Sequence, residues 1–161
     1  MNSLQKGLAT TAVHVAIVLA VAGKYYVDRG SLPRVWARGA PYDPNLPIRG
    51  RYVRLSIRAV LAAGTQSPDY VSTVTLRPEN GRLVAMASEH GGLSARFDAA
   101  SSTWALTDAI AFFIPEHAPD PSIRPADEEL WVEVSVPKKG PPRPVRLGVK
   151  KNGVLTPLNL D

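Results

Sequence analysis

Pro41-Tyr42-Asp43-Pro44-Asn45-Leu46-Pro47-Ile48-Arg49-Gly50-Arg51-Tyr52-Val53-Arg54-Leu55-Ser56-Ile57 is the stretch on which the fold turns. Its first half is punctuated by Pro41, Pro44 and Pro47, which exclude a helix and bias the residues before them toward extended backbone. Asp43-Pro44 followed by Asn45 is a turn signal. Beyond Gly50 the pattern becomes strict alternation. Val53, Leu55 and Ile57 share one strand face, and Tyr52, Arg54, Ser56 and Arg58 share the other. One apolar face at a period of two predicts a half-buried antiparallel strand.

Downstream the same grammar repeats. Tyr70–Leu76 is rich in β-branched residues, Asn80-Gly81 turns the chain, and Arg82–Ala87 returns, which is a strong hairpin signal. Further strands are expected at Leu93–Phe97, Thr103–Leu106, Ala109–Ile114 and Leu130–Val136. Pro144–Lys150 and Val154–Leu158 form a last hairpin across Asn152-Gly153. Ala126–Leu130 is a candidate for a single helical turn. About eight short strands, closely spaced turns and no internal repeat predict a mainly β protein, with one antiparallel β barrel or sandwich domain over residues 49–161.

Upstream, residues 28–48 read as a proline-rich linker and lead-in loop, with Val35-Trp36-Ala37 a candidate short edge strand. Before it, Gly7–Gly23 is an uncharged run of seventeen residues. A bilayer span needs about 20, and Tyr25 and Tyr26 extend the run as an interfacial belt. Residues 1–27 are therefore expected to be a transmembrane helix. A signal peptide cleaved after Ala22 is the competing reading, since Ala20-Val21-Ala22 precedes Gly23. Lys24, Arg29, Arg34 and Arg38 follow the segment and only Lys6 precedes it, so a plain count of charges puts the carboxyl side in the cytoplasm. A short basic tail before a first apolar segment is equally the form of an export signal.

The net charge of +5 over 161 residues conceals segregation. Residues 24–58 hold eight basic side chains against Asp28 and Asp43, residues 98–133 hold eight acidic ones against Arg124, and residues 134–160 hold six basic and no acidic ones. A basic surface near a membrane suits anionic headgroups. Nucleic acid is not an expected partner, because the chain lacks an interleaved aromatic platform and any recognisable binding motif. With no cysteine there is no disulfide framework, thiolate metal site or cysteine nucleophile.

No reaction is legible. His14, His90 and His117 are too few and too scattered for a metal site, and no cofactor is indicated. No serine sits in a nucleophile motif, and no phosphate-cradling glycine loop is present. No residue is assigned as catalytic. Glu89-His90 and Glu116-His117 are the acid–base candidates, provided that the two pairs converge. A basic groove lined by Arg49, Arg51 and Arg54 that binds an anionic group is the other candidate site.

The stretch from Asp43 to Ile57 resembles the GDYXXLXY protein family, named for its Gly-Asp-Tyr-x-x-Leu-x-Tyr signature. Asp43 and Pro44 form the lead-in, Arg49 precedes the glycine, and Gly50, Tyr52 and Leu55 match; Arg51 replaces the signature Asp and Ile57 the second Tyr. Ala111-Phe112-Phe113-Ile114-Pro115-Glu116 is similar to a later segment of that family, with Pro115 and Glu116 its clearest part. The resemblance implies a bacterial cell-envelope protein of unestablished activity. It would be a single-pass protein of the inner membrane with a periplasmic or otherwise extracytoplasmic soluble domain. The expectation is a membrane-anchored β module with a binding or assembly role, its partners being the membrane and a second membrane protein. A cell-envelope enzyme using Glu/His acid–base residues and anion binding by the arginine face are the alternatives.

Overall fold

The computed structural model describes residues 2–42, 52–64 and 71–160. The chain divides into a helical unit up to Leu32 and a β unit from Pro33 onward. Helix α1 runs Ser3–Ser31. Its first turn is held by the Gln5 side chain, which accepts the Asn2 backbone N–H at 3.0 Å. Polar side chains inside it satisfy themselves on their own backbone: the Thr10 and Thr11 hydroxyls donate to the carbonyls of Lys6 and Gly7, and His14 Nδ1 lies 2.8 Å from the carbonyl of Thr10. The segment Ser3–Asp28 is long and apolar enough to cross a membrane, a property that signal sequences near an N-terminus share. The helix stops where Leu32 turns extended ahead of Pro33, which cannot continue it.

The β unit contains ten strands among the described residues: β1 (Arg34–Pro41), β2 (Tyr52–Leu61), β3 (Val71–Glu79), β4 (Arg82–Ala87), β5 (Leu93–Asp98), β6 (Thr103–Leu106), β7 (Ile110–Phe113), β8 (Glu128–Ser135), β9 (Arg143–Lys151) and β10 (Val154–Pro157). Strand β2 is the hub. Along one edge it pairs with β7 at Tyr52–Leu55 and then with β6 at Arg58–Val60. Along the other it pairs with β1 at Leu55–Arg58 and then, in parallel, with β4 at Val60 and Leu61. The ladder β2–β6–β5–β3–β4 therefore returns to β2 and closes a ring. The sheet β1–β8–β9–β10 extends from its seam. Closure removes the edges of the five ring strands, and the sheet ends at β7 and β10.

The alternation predicted for β2 is present: Val53, Leu55, Ile57 and Ala59 are buried, and the residues between them are half-exposed. Trp104 fills the interior with no exposed surface. It lies opposite Ala59 on β2 and packs edge-on against Phe97 at 5.2 Å between ring centroids. Buried Ala59, Ala85 and Ala95 are the small positions that a small ring needs when one position is so large. Asn80-Gly81 and Asn152-Gly153 both take positive φ, 50° and 74° in the first and 50° and 82° in the second, as a two-residue hairpin turn requires.

Three expectations are corrected. Residues 34–41 are not linker or edge: β1 is an interior strand between β2 and β8, and helix α1 covers residues 28–31. Its inner positions are small because the sheet is tight there; a Cβ on Gly39 would lie 3.0 Å from Val132 Cγ2. Glu128–Leu130 belong to β8 rather than to a helical turn, since Arg38 and Trp131 stand in register across β1 and β8. The sheet is also not wholly antiparallel, because β2–β4 and the bridge Trp36–Arg82 between β1 and β4 are parallel.

Candidate functional site

The outward face of β1 carries Trp36 and Arg38, and both positions are set by ladder register. Arg38 stands directly opposite Arg58 on β2 and opposite Trp131 on β8; Trp36 stands opposite Arg82 on β4. Two arginines facing each other across an antiparallel pair repel, so this register works against stability unless something of opposite charge lies between or beside them. Here each has its own carboxylate: Arg38 meets Glu129 at 3.2 Å and Arg58 meets Asp98 at 3.0 Å.

These side chains surround a cavity of about 330 Å³. Its floor and walls are Trp36, Ala37, Val60, Leu83 and Trp131. Its charged rim is Arg38, Arg58, Arg82 and Lys150 against Glu129. The Arg82 side chain makes no ion pair or hydrogen bond among the described residues, although Glu79 stands opposite it in register on β3. Lys150 stands opposite Glu129 in register across β8 and β9 without an ion pair to it, and its ammonium lies 4.7 Å from the Trp131 ring centroid. Positive charge is thus in excess, and part of it is uncommitted. A second cavity of about 280 Å³ shares Arg38, Arg58 and Glu129 with the first and continues toward Ser122 and Arg124.

The walls are held from outside. Trp131 Nε1 donates to Glu129 at 3.1 Å, so Glu129 fixes Arg38 with one oxygen and the indole with the other. Trp36 has the Arg146 guanidinium 5.4 Å from its ring centroid, and Arg146 is in turn held at 2.7 Å by Glu133. Only glycine fits at position 148, where a Cβ would come within 2.8 Å of the Trp36 ring and 3.1 Å of the Thr156 carbonyl. Gly148→Ala is expected to push the indole off β9, lowering the thermal midpoint of the full chain and weakening its near-ultraviolet circular dichroism at the tryptophan bands. An unchanged midpoint and spectrum would show that Trp36 is not seated there.

Behind Arg58 the turn after β5 forms an anchor. Asp98 accepts from Ser101 Oγ at 2.8 Å, from Arg58 at 3.0 Å and from the Ala100 N–H at 3.1 Å. The Ser101 hydroxyl, with Arg58 and Ala100 behind it, holds the Asp98 carboxyl below the ordinary aspartate value, against a smaller opposing effect of burial. A lowered folded-state value means that the stabilisation is complete above the ordinary aspartate range and is lost as pH falls through it. The melting difference between the wild type and Asp98→Asn should accordingly be largest at neutral pH and shrink below about pH 4. A difference that stayed constant down to pH 2 would sink this account.

The residues expected from sequence are distributed otherwise. Arg54 is on the outer face of β2, 4.9 Å from the Tyr42 ring centroid, whereas Arg49 and Arg51 lie outside the described residues. Asp43, Pro44 and Gly50 lie outside them too. Leu55 is fully buried core, and Tyr52 packs on Phe113 at 5.8 Å. The Pro115 carbonyl closes a turn on the Ala118 N–H, and Glu116 is exposed. Glu89, His90 and His117 are exposed as well, and no hydrogen bond links either glutamate to either histidine. Arg54 does not line the cavity; Arg58, four residues further along β2 and outside the expected arginine groove, does. Arg38, Arg82, Lys150 and the two tryptophans are not site candidates in the sequence reading; the excess of positive charge in residues 24–58 and 134–160 is a signal for Arg38 and Lys150 only, and nothing local marks Arg82, Trp36 or Trp131 as cavity residues. No family model matches the chain, and neither a curated protein nor a solved structure does so.

Proposed function

We propose that this chain is a single-pass, membrane-anchored β module of the bacterial cell envelope that binds an anionic group in the cavity between Arg38, Arg58 and Arg82. Helix α1 is the uncleaved anchor, the β unit is extracytoplasmic, and the role is binding or assembly rather than catalysis. The proposal keeps the resemblance to the GDYXXLXY family and, separately, puts the anion site at Arg38, Arg58 and Arg82 rather than at Arg49, Arg51 and Arg54. One observation carries it: Arg38 and Arg58 face each other in register beside Arg82, which has no ion pair among the described residues, over a cavity whose described rim holds one carboxylate, Glu129. Proteins tolerate local repulsion of this kind where a ligand uses it. The volume suits a small molecule or one group of a larger partner.

The test is direct. Full-length chain in phosphatidylcholine nanodiscs is titrated with inorganic phosphate and with pyrophosphate, and intrinsic fluorescence is followed, since Trp36 and Trp131 line the cavity. Saturable quenching is expected, tighter for pyrophosphate. It should weaken about tenfold or more in Arg82→Gln, the loss of one charge-assisted contact. No saturable response to either anion would overturn the reading. A reporter fused to the carboxyl end and active only in the cytoplasm would overturn the orientation.

A further inference from the structure

The geometry points to the class of ligand: an acidic monosaccharide, that is, a sugar ring bearing one carboxylate or phosphate. This inference rests on the anion-binding reading and adds the body that carries the anion. Cations occupy only part of the cavity wall, and the rest makes different demands. Ser101 donates its one hydroxyl proton to Asp98, at 2.8 Å. In the 2.7 Å pair of Ser101 with Thr103 the donor must then be Thr103. Both hydroxyl protons are spent within the protein, and what the Thr103 hydroxyl has left to offer a ligand in the cavity it lines is acceptor lone pairs. Glu129 is also an acceptor only, with one oxygen on Arg38 and the other on Trp131, and each oxygen has capacity left.

A bare anion would leave these acceptors facing like charge. An aromatic or aliphatic acid would satisfy the cations but bring them no donor. The ligand that completes the cavity therefore carries hydroxyl donors as well as an anion. Its remaining surface must be apolar and broad enough for two indole walls, Trp36 and Trp131, together with Val60 and Leu83. A pyranose ring has apolar C–H faces and an equatorial belt of hydroxyls, and its size agrees with a volume of about 330 Å³. In this assignment the acid group sits among Arg38, Arg58 and Arg82, the ring lies along the indoles, and hydroxyls donate to Thr103 and Glu129.

The experiment compares probes on the full chain in phosphatidylcholine nanodiscs by calorimetric titration. Glucuronate and glucose 6-phosphate are set against glucose, acetate and inorganic phosphate. Each acid sugar is expected to bind about tenfold tighter than either of its halves, roughly the effect of one further net hydrogen bond. Thr103→Val, which keeps the shape and removes the acceptor, should abolish that advantage while phosphate binding is retained. Arg82→Gln should weaken both acid sugars and phosphate. If phosphate and acetate bind as tightly as the acid sugars, the sugar assignment is wrong and the anion site stands. If glucose matches glucuronate, the acid group has no place in the assignment. If nothing binds, both readings fall together.

Discussion

Trp104→Ala should lower the stability of the β unit by about 3–5 kcal/mol, the range for removing a large aromatic side chain from a core that collapses only in part. The side chain has no exposed surface and is the largest group in the ring interior. Its neighbours Ala59, Ala85 and Ala95 are too small to fill the hole, and ring strands tied on both edges cannot close in. The companion variant makes the prediction sharper. Trp104 Nε1 is buried and has no hydrogen-bond partner among the described residues, so the indole N–H carries a desolvation penalty of about 1–3 kcal/mol that the wild type tolerates. Trp104→Phe removes that donor together with part of the ring volume, and the two effects oppose each other. It should cost well under half of what alanine costs, and the edge-on contact with Phe97 is kept. Urea denaturation of the full chain in detergent, followed by far-ultraviolet circular dichroism, separates the three proteins. If phenylalanine is as damaging as alanine, the N–H has a partner, such as an internal water, and the packing argument must be rebuilt around it.

What was readable in the sequence is what local physics decides. The period of two from Tyr52 to Arg58 and the Asn-Gly turns at 80–81 and 152–153 depend on neighbours a few residues away, and all three emerged as read. Strand β1 is legible only as a short edge strand at Val35-Trp36-Ala37, because its full length and interior place obey a distant constraint. Ala37 and Gly39 look like linker residues until β8 is laid beside them, and then a Cβ on residue 39 would crowd Val132 Cγ2 at 3.0 Å. Ring closure escaped for the same reason: the parallel pairing of β2 with β4 joins residues across an intervening hairpin, and no local pattern records it. The cavity is the extreme case. Its side chains span Trp36 to Lys150 and come from six strands and one turn, so no spacing within the chain could display them. Arg38 read as a juxtamembrane cation and Arg82 as the flank of a turn. Only register, which puts one opposite Arg58 and the other opposite Trp36, gave them a shared purpose.

That register makes a prediction about binding and stability together. Arg38→Thr and Arg58→Thr should each be mild for the fold, because the ion pairs they lose are partly exposed and weak, while threonine suits a strand and relieves the repulsion across β1 and β2. The coupling between them has a definite sign. Either substitution alone removes the whole repulsion, so the double variant cannot gain that relief twice and must be less stable than the sum of the singles predicts. The discrepancy should be about 0.2–1 kcal/mol, the scale of a cross-strand pair, and should shrink as salt screens the charges. Anion binding follows a different rule. Each guanidinium contributes a charge-assisted contact to the bound group, so removing both should weaken binding of pyrophosphate by about a hundredfold or more. A bound anion lying between the arginines replaces their repulsion with two attractions. The double-mutant cycle repeated with saturating pyrophosphate should therefore show the coupling reduced to near zero or reversed. A coupling of the same size and sign with and without the anion would mean that it binds elsewhere, and Arg38 and Arg58 would then be a cost of the sheet register with no compensating use.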